Sequence, residues 1–183
     1  RILTAILFFT GLTVFLVTFA FINEFVTKPF FAFHRPYVLK LEKEGLLSAD
    51  KFYALATKQE RSDFLRKKLA ANQNSKIVQS LDSDIREHWI AHTGFSFPSG
   101  HSQNVFLFAV ILAFLIQHLV SDGKRFVWIP FLWATGVCLS RVAMGVHSPI
   151  DITVGALTGG LLGSLVLISG FLNRMLPEKQ AGE

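Results

Sequence analysis

An all-α protein is what this chain predicts: a polytopic bundle of transmembrane helices with a small helical extracytoplasmic insertion. Three observations predict it. Of the 183 residues 51% are hydrophobic, and phenylalanine alone (19) outnumbers the acidic residues (13), a balance that fits a membrane protein better than a soluble domain of this length. Four apolar runs approach the roughly 20 residues needed to cross the hydrocarbon of a bilayer. A single polar interval, Tyr37 to Gly94, separates the first run from the other three.

The first span is expected over Ile2–Ile22. A cleaved signal peptide is the alternative for this run, but it shows no small-residue cleavage pattern. The second span is expected over Gln103–Val120. The third covers Phe126–Leu139 and runs on toward Val146, with Arg141 near its end, and the fourth covers Ile150–Leu172. Short-loop cations set the orientation. Lys124 and Arg125 lie in the turn between spans two and three, while Arg1, Arg174 and Lys179 flank the outer ends of spans one and four. Placing all five in the cytoplasm lets the spans alternate and puts residues 37–94 and the turn at His147 outside. The slight excess of Lys and Arg over Asp and Glu in residues 40–88 pulls the other way, but so long a segment is near the length where the rule loses force.

Within 37–94 three short helices are expected: Ala49–Thr57 capped by Ser48, Glu60–Ala71, and Asp84–Ala91. Each has one apolar face and a polar one. Two arrangements suit such helices, lying on the bilayer surface or packing on protein as a solvated lid. On the fourth span Gly155, Gly159 and Gly163 recur at a spacing that permits close helix contact, within the chain or across a dimer face.

Composition also excludes. The net charge of +5 invites a nucleic-acid partner, but the cations are spread along the chain between lipid-suited segments. One cysteine, Cys138, supports neither an intrachain disulfide framework nor a thiolate metal site.

The chemistry lies at the margins of the spans. In Ser140–Asp151 (SRVAMGVHSPID) Ser148 and Pro149 read as the cap and first residue of a helix. His147 and Asp151 are four apart. Two readings stand for Asp151: it faces the imidazole and fixes its tautomer, leaving the other nitrogen free as a nucleophile, or it reaches back to the Ser148 amide as a capping-box acid. Arg141, an ionisable group at the end of a span, favours a functional site. In Pro98–His101 (PSGH) Gly100 lets backbone approach a ligand closely, and the following helix aims its N–H groups there, an anion site. Ser99 adds a hydroxyl donor, and His101 stands where a leaving alkoxide needs a proton. Upstream, Lys28 and Arg35 supply a point charge and a planar fork. Several fixed cations around one phosphoryl group are what a metaphosphate-like transition state requires. By itself Lys28 reads better as an interfacial lysine snorkelling from span one; Arg35-Pro36 following at a set interval turns the reading toward the site. His88 and His92 have the i, i+4 spacing of a zinc pair but no third ligand nearby, so they are expected to be ordinary loop histidines. His34, beside Arg35, is a weaker candidate for the site. His118 is expected at the cytoplasmic end of a span, away from it.

Taken together, Lys28-x6-Arg35-Pro36, Pro98-Ser99-Gly100-His101 and Ser140-Arg141-x5-His147-x3-Asp151 resemble the three-part signature of the type 2 phosphatidic acid phosphatase family, matching at every fixed position. The stretches RPYVLKLEK, DKFYAL and EHWIAHTGFSFPSGH are similar to the bacterial phosphatidylglycerophosphate phosphatases within it. The resemblance implies an integral membrane phosphatase of the bacterial inner membrane with its site on the periplasmic side. It implies His147 as nucleophile through a phosphohistidine, Asp151 as its orienter, and His101 as acid and then base. Lys28, Arg35, Ser99, Gly100 and Arg141 would hold the phosphoryl oxygens, with no cofactor and no metal. The implied substrates are lipid phosphates such as phosphatidylglycerophosphate, phosphatidic acid, lysophosphatidic acid, diacylglycerol pyrophosphate and undecaprenyl pyrophosphate. The implied partners are membrane lipids and no nucleic acid. Members of this group usually have six spans, so two more are expected to precede residue 1. Two other functions are compatible with the motifs: a phosphotransferase using the same histidine, and a lipid-binding or transport protein without turnover.

Overall fold

The computed structural model describes residues 2–170 and 172–173, so Arg1, Arg174 and Lys179 of the orientation argument lie outside the described residues. The described residues form helices and turns with no strand, and four helical segments are long and apolar enough to cross a membrane.

Helix α1 covers Ile2–Ile22 and carries lipid-suited residues such as Val14, Val17 and Phe21 on its exposed surface. It continues through a π-helical turn, Asn23–Thr27, into the short α2, Lys28–Phe31. Such a turn often marks a functional site within a helix. Left-handed Ala32 (φ 51°) ends α2. Arg35 is extended and Pro36 opens α3 (Pro36–Lys43), the position where proline's missing N–H costs nothing.

Helices α4 (Ala49–Tyr53), α5 (Lys58–Ala71), α6 (Lys76–Gln79) and α7 (Ser83–Ala91) complete segment 37–94. Ser48 caps α4 through the Lys51 amide, and Thr57 with Glu60 forms a capping box at α5. The expected helices at 49, 60 and 84 are present, the first ending four residues early; α3 and α6 were not anticipated. Their apolar faces meet one another. Tyr37, Val38, Leu41, Phe52, Leu65 and Trp89 form one buried cluster, and Val146, from the turn after α9, belongs to it.

The remaining spans are α8 (Gly100–Leu119), α9 (Ile129–Ala143), reached through a 3₁₀ turn at Gly123–Arg125, and α10 (Pro149–Ile168). Arg141 therefore sits in the last turn of α9. Helix α8 lies between α9 and α10 and packs most extensively on α10. The glycine stripe makes that contact possible. A Cβ on Gly163 would lie 2.8 Å from Val110 Cβ, while one on Gly155 or Gly159 would run into the carbonyls of Ser99 and Gln103. The stripe thus serves packing inside the chain. At the opposite end Leu107, Ile111 and Leu162 bury together, and Leu12, Phe15, Leu16 and Phe19 dock α1 against them.

Candidate active site

Three backbone ties bring the motifs together. The Tyr37 amide, just after Arg35-Pro36, donates to Gly145 O (3.0 Å), next to His147. The Ser96 amide donates to Phe33 O (2.9 Å), joining the first motif to the second. The Ser99 amide donates to Asp151 O (3.0 Å), joining the second to the third. Segments far apart in sequence are thereby fixed to within one hydrogen bond of each other.

Between them lies a cavity of about 320 Å³ whose wall includes Lys28, Arg35, Gly100, His101 and His147. Arg35, 3% exposed, spends three guanidinium donors on backbone carbonyls: Nε to Gly94 O (2.8 Å), Nη1 to Val146 O (2.9 Å) and Nη2 to Phe95 O (3.3 Å). Of the five N–H groups an arginine carries, two are left for a ligand. Arg35 is both a cation of the cavity and the clip that closes its wall.

His147 is 3% exposed, and its Nδ1 lies 3.5 Å from Asp151 Oδ2, longer than a well-formed hydrogen bond. The same Oδ2 accepts the Ser148 amide at 2.8 Å, while the Asp151 amide donates to Ser148 Oγ at 3.3 Å. The two readings of Asp151 are therefore not exclusive: the capping box holds the carboxylate, and the carboxylate so held faces the ring. Burial keeps His147 below the usual imidazole value, with the neighbouring Asp151 carboxylate acting in the opposite direction. A buried imidazole that resists protonation keeps its lone pair at neutral pH.

Gly100 and His101 open α8, whose first-turn N–H groups face the same space, as a helix N-terminus does toward an anion. A Cβ at Gly100 would stand 3.2 Å from Asn23 Nδ2, so the bare α-carbon lets the π-helical turn approach. Ser99 is fully buried, and its Oγ accepts from the amide (3.3 Å) and hydroxyl (3.0 Å) of Ser102. It caps α8 from behind the wall. Arg141 also stands behind, 7% exposed, with Nη2 at 2.7 Å from His88 Nε2. His34 turns away to stack on Tyr53 at 4.3 Å and lines a separate open groove with Ser148 and Asp151. His118 is exposed at the far end of α8.

Some residues at the cavity were not expected there. His88 lies on α7 and His92 caps its C-terminus; the two are not incidental loop histidines. Their rings stack at 4.0 Å, and His92 is 6.3 Å from the His101 ring. His92 Nδ1 lies 2.9 Å from His88 O, and His92 lines the cavity. Burial, then His92 and Arg141, push His88 down to about 4, so it meets the guanidinium as a neutral acceptor. Glu24, in the π-helical turn, binds Lys28 at 2.6 Å and also pairs with Lys58 from α5. The Glu24–Lys28 spacing of four on one helix was a legible signal. Lys58 had none, being brought in by the fold. Among the described residues no three His, Cys, Asp or Glu side chains group as metal ligands.

The family model of the PAP2 superfamily matches residues 2–175. Phosphatidylglycerophosphatase B of Escherichia coli (strain K12) is 38% identical over 125 residues, covering 67% of this chain and 45% of that protein. Phosphatidylglycerophosphatase B of Haemophilus influenzae is 30% identical over 147 residues, 76% of this chain and 56% of its own. A putative undecaprenyl-diphosphatase, YbjG, of Escherichia coli is 40% identical over 70 residues, 38% of this chain and 32% of its own. The chain spans about half the length of the phosphatidylglycerophosphatases it matches.

Proposed function

Because this chain belongs to the PAP2 superfamily, we propose that it is a membrane lipid phosphatase that removes phosphoryl groups from lipid phosphates at the extracytoplasmic face. The convergence of His101 and His147 with two of the motif cations, Lys28 and Arg35, on one cavity carries this reading. In the first step the Nε2 lone pair of His147 attacks phosphorus while Asp151 stands against Nδ1. The P–O ester bond breaks, its electron pair leaves on the lipid oxygen, and His101 donates a proton there. In the second step His101 takes a proton from water, the hydroxide attacks phosphorus, and the P–N bond breaks to release inorganic phosphate. Lys28, Arg35 and the α8 N-terminus stabilise the three non-bridging oxygens, and Arg141 adds charge from behind. These cations supply what a metal would otherwise give.

The substrate classes are those named for the relatives, phosphatidylglycerophosphate and undecaprenyl diphosphate, with phosphatidic acid as the simplest member. The lipid tails remain in the bilayer while the headgroup enters from the side. Orientation rests on Lys124 and Arg125 in the short turn after α8, at the end opposite His101. A cytoplasmic position for that turn puts the cavity outside, in a bacterial inner membrane.

Phosphate release from phosphatidic acid, phosphatidylglycerophosphate and undecaprenyl pyrophosphate by detergent-purified protein tests the proposal, with EDTA present and absent. Release is expected in both conditions, and His147→Ala is expected to abolish it. Near-normal turnover by that variant would remove the nucleophile and the mechanism with it. Retention of label on the protein in an acid-labile, alkali-stable bond marks the phosphohistidine.

A further inference from the structure

The cavity holds more charge than the three motifs require. Lys28 and Arg35 suffice for one phosphoryl group in the reading above, yet Lys58 lines the same space from α5. Depth distinguishes the two lysines. The Lys28 side chain is 10% exposed, that of Lys58 55% exposed, so one lies inside and the other at the mouth. Glu24 joins them, one carboxylate oxygen to each ammonium.

The position of Lys58 is built. Thr93 Oγ1 donates to the Lys58 carbonyl at 3.0 Å, anchoring the start of α5 to the segment that leads into the PSGH motif. The ammonium sits 5.9 Å from the Phe25 ring centroid. Gly94 leaves the room this requires: a Cβ there would stand 3.1 Å from Glu24 Oε1 and 3.3 Å from Lys58 Cε. A carboxylate within an anion-binding cavity repels an anionic substrate, so its presence calls for a compensating use.

We propose that Lys58 and Glu24 form a specificity element for lipid pyrophosphates: the terminal phosphoryl group sits inside with Lys28 and Arg35, Lys58 takes the lipid-linked phosphoryl group at the mouth, and Glu24 holds Lys58 there until that anion replaces the carboxylate. This rests on the phosphatase reading above. Two ammonium groups held by the two oxygens of one carboxylate can each take one phosphoryl group of a pyrophosphate. A phosphodiester set off by a glycerol would reach past Lys58. With a monophosphate, Lys58 keeps its partner Glu24 and adds little to binding. With a pyrophosphate it exchanges a carboxylate for a more highly charged anion.

Diacylglycerol pyrophosphate and phosphatidic acid with identical acyl chains differ by the one phosphoryl group in question. The measurement is kcat/KM for each in mixed micelles, using wild type, Lys58→Gln and Lys58→Arg. In Lys58→Gln the pyrophosphate-to-monophosphate ratio is expected to fall about tenfold, mostly through KM for the pyrophosphate, and Lys58→Arg should restore most of it. An unchanged ratio, whether both activities drop together or neither drops, overturns the proposal and leaves Lys58 a structural contact. If wild type releases phosphate from neither lipid, the phosphatase reading itself fails, and this inference with it.

Discussion

Gly155→Ala is expected to slow catalysis by pushing α10 away from α8. The added methyl would stand 3.0 Å from Ser102 Cβ and 3.3 Å from the Ser99 carbonyl carbon, with the Ser99 oxygen nearer still. Ordinary carbon contacts fall at about 3.5–4.0 Å, so the helices must part by about 1 Å. Gly155 lies one turn beyond Asp151, whose carbonyl holds the Ser99 amide at 3.0 Å. The displacement therefore falls on the tie between the second and third motifs, changing how the His147 turn meets the start of α8. A misplacement of about 1 Å costs on the order of 100-fold in rate, and overpacking adds about 1–3 kcal/mol of destabilisation. The assay is kcat for phosphate release from phosphatidic acid in micelles, alongside thermal unfolding monitored by loss of monodisperse protein. Gly160→Ala is the control: nothing lies within 4 Å of its would-be Cβ, so the rate should hold and stability rise by about 0.5–1 kcal/mol. If Gly155→Ala kept kcat within about threefold of wild type, the close contact of α8 and α10 would not be what sets the site.

Two further outcomes follow from the wall of the cavity. Arg35→Lys should lose stability as well as activity, because one ammonium cannot reach the carbonyls of Gly94, Val146 and Phe95 together. With hydrogen bonds to charged groups worth about 1.5–3 kcal/mol each, a loss of roughly 3–6 kcal/mol is expected, read as a fall in Tm. An unchanged Tm would show that the clip carries no weight. Stability should also fall as pH drops from about 6.5 toward 4, since His88 is held near 4 in the fold against an ordinary value of 6.5 and the unfolded chain binds the proton first. His88→Asn should flatten that slope in thermal melts at pH 7 and pH 5; equal slopes would place the titration elsewhere.

The membrane helices were readable because apolar runs announce themselves, and Ser48 and the Ser148-Pro149 pair marked helix starts by cap chemistry alone. The motif residues were readable by type and spacing, but their layering was not. Spacing gives no depth, so Ser99, Arg141 and Asp151 behind the wall looked equivalent to Lys28 and His147 on it. Helix α3 is hidden in sequence because the charge of Arg35 masks the helix-start signal of Pro36 beside it. His88, His92 and Lys58 depend on how segment 37–94 folds over the spans. Periodicity shows which face of each short helix is apolar, but not that these faces meet one another.

The turn bearing His147 hangs on that segment. Trp89 Nε1 donates to Met144 O at 2.7 Å, Tyr37 N to Gly145 O, and Arg35 to Val146 O, and Val146 itself is buried among Phe52, Leu65 and Trp89. What looks in outline like a detachable cap is thus the hinge-plate on which the His147 imidazole is mounted. Chimeras that exchange this segment should cut at the rim near Lys58 and leave the Tyr37–Trp89 buttress intact, since transplanting the whole cap would unseat the His147 turn.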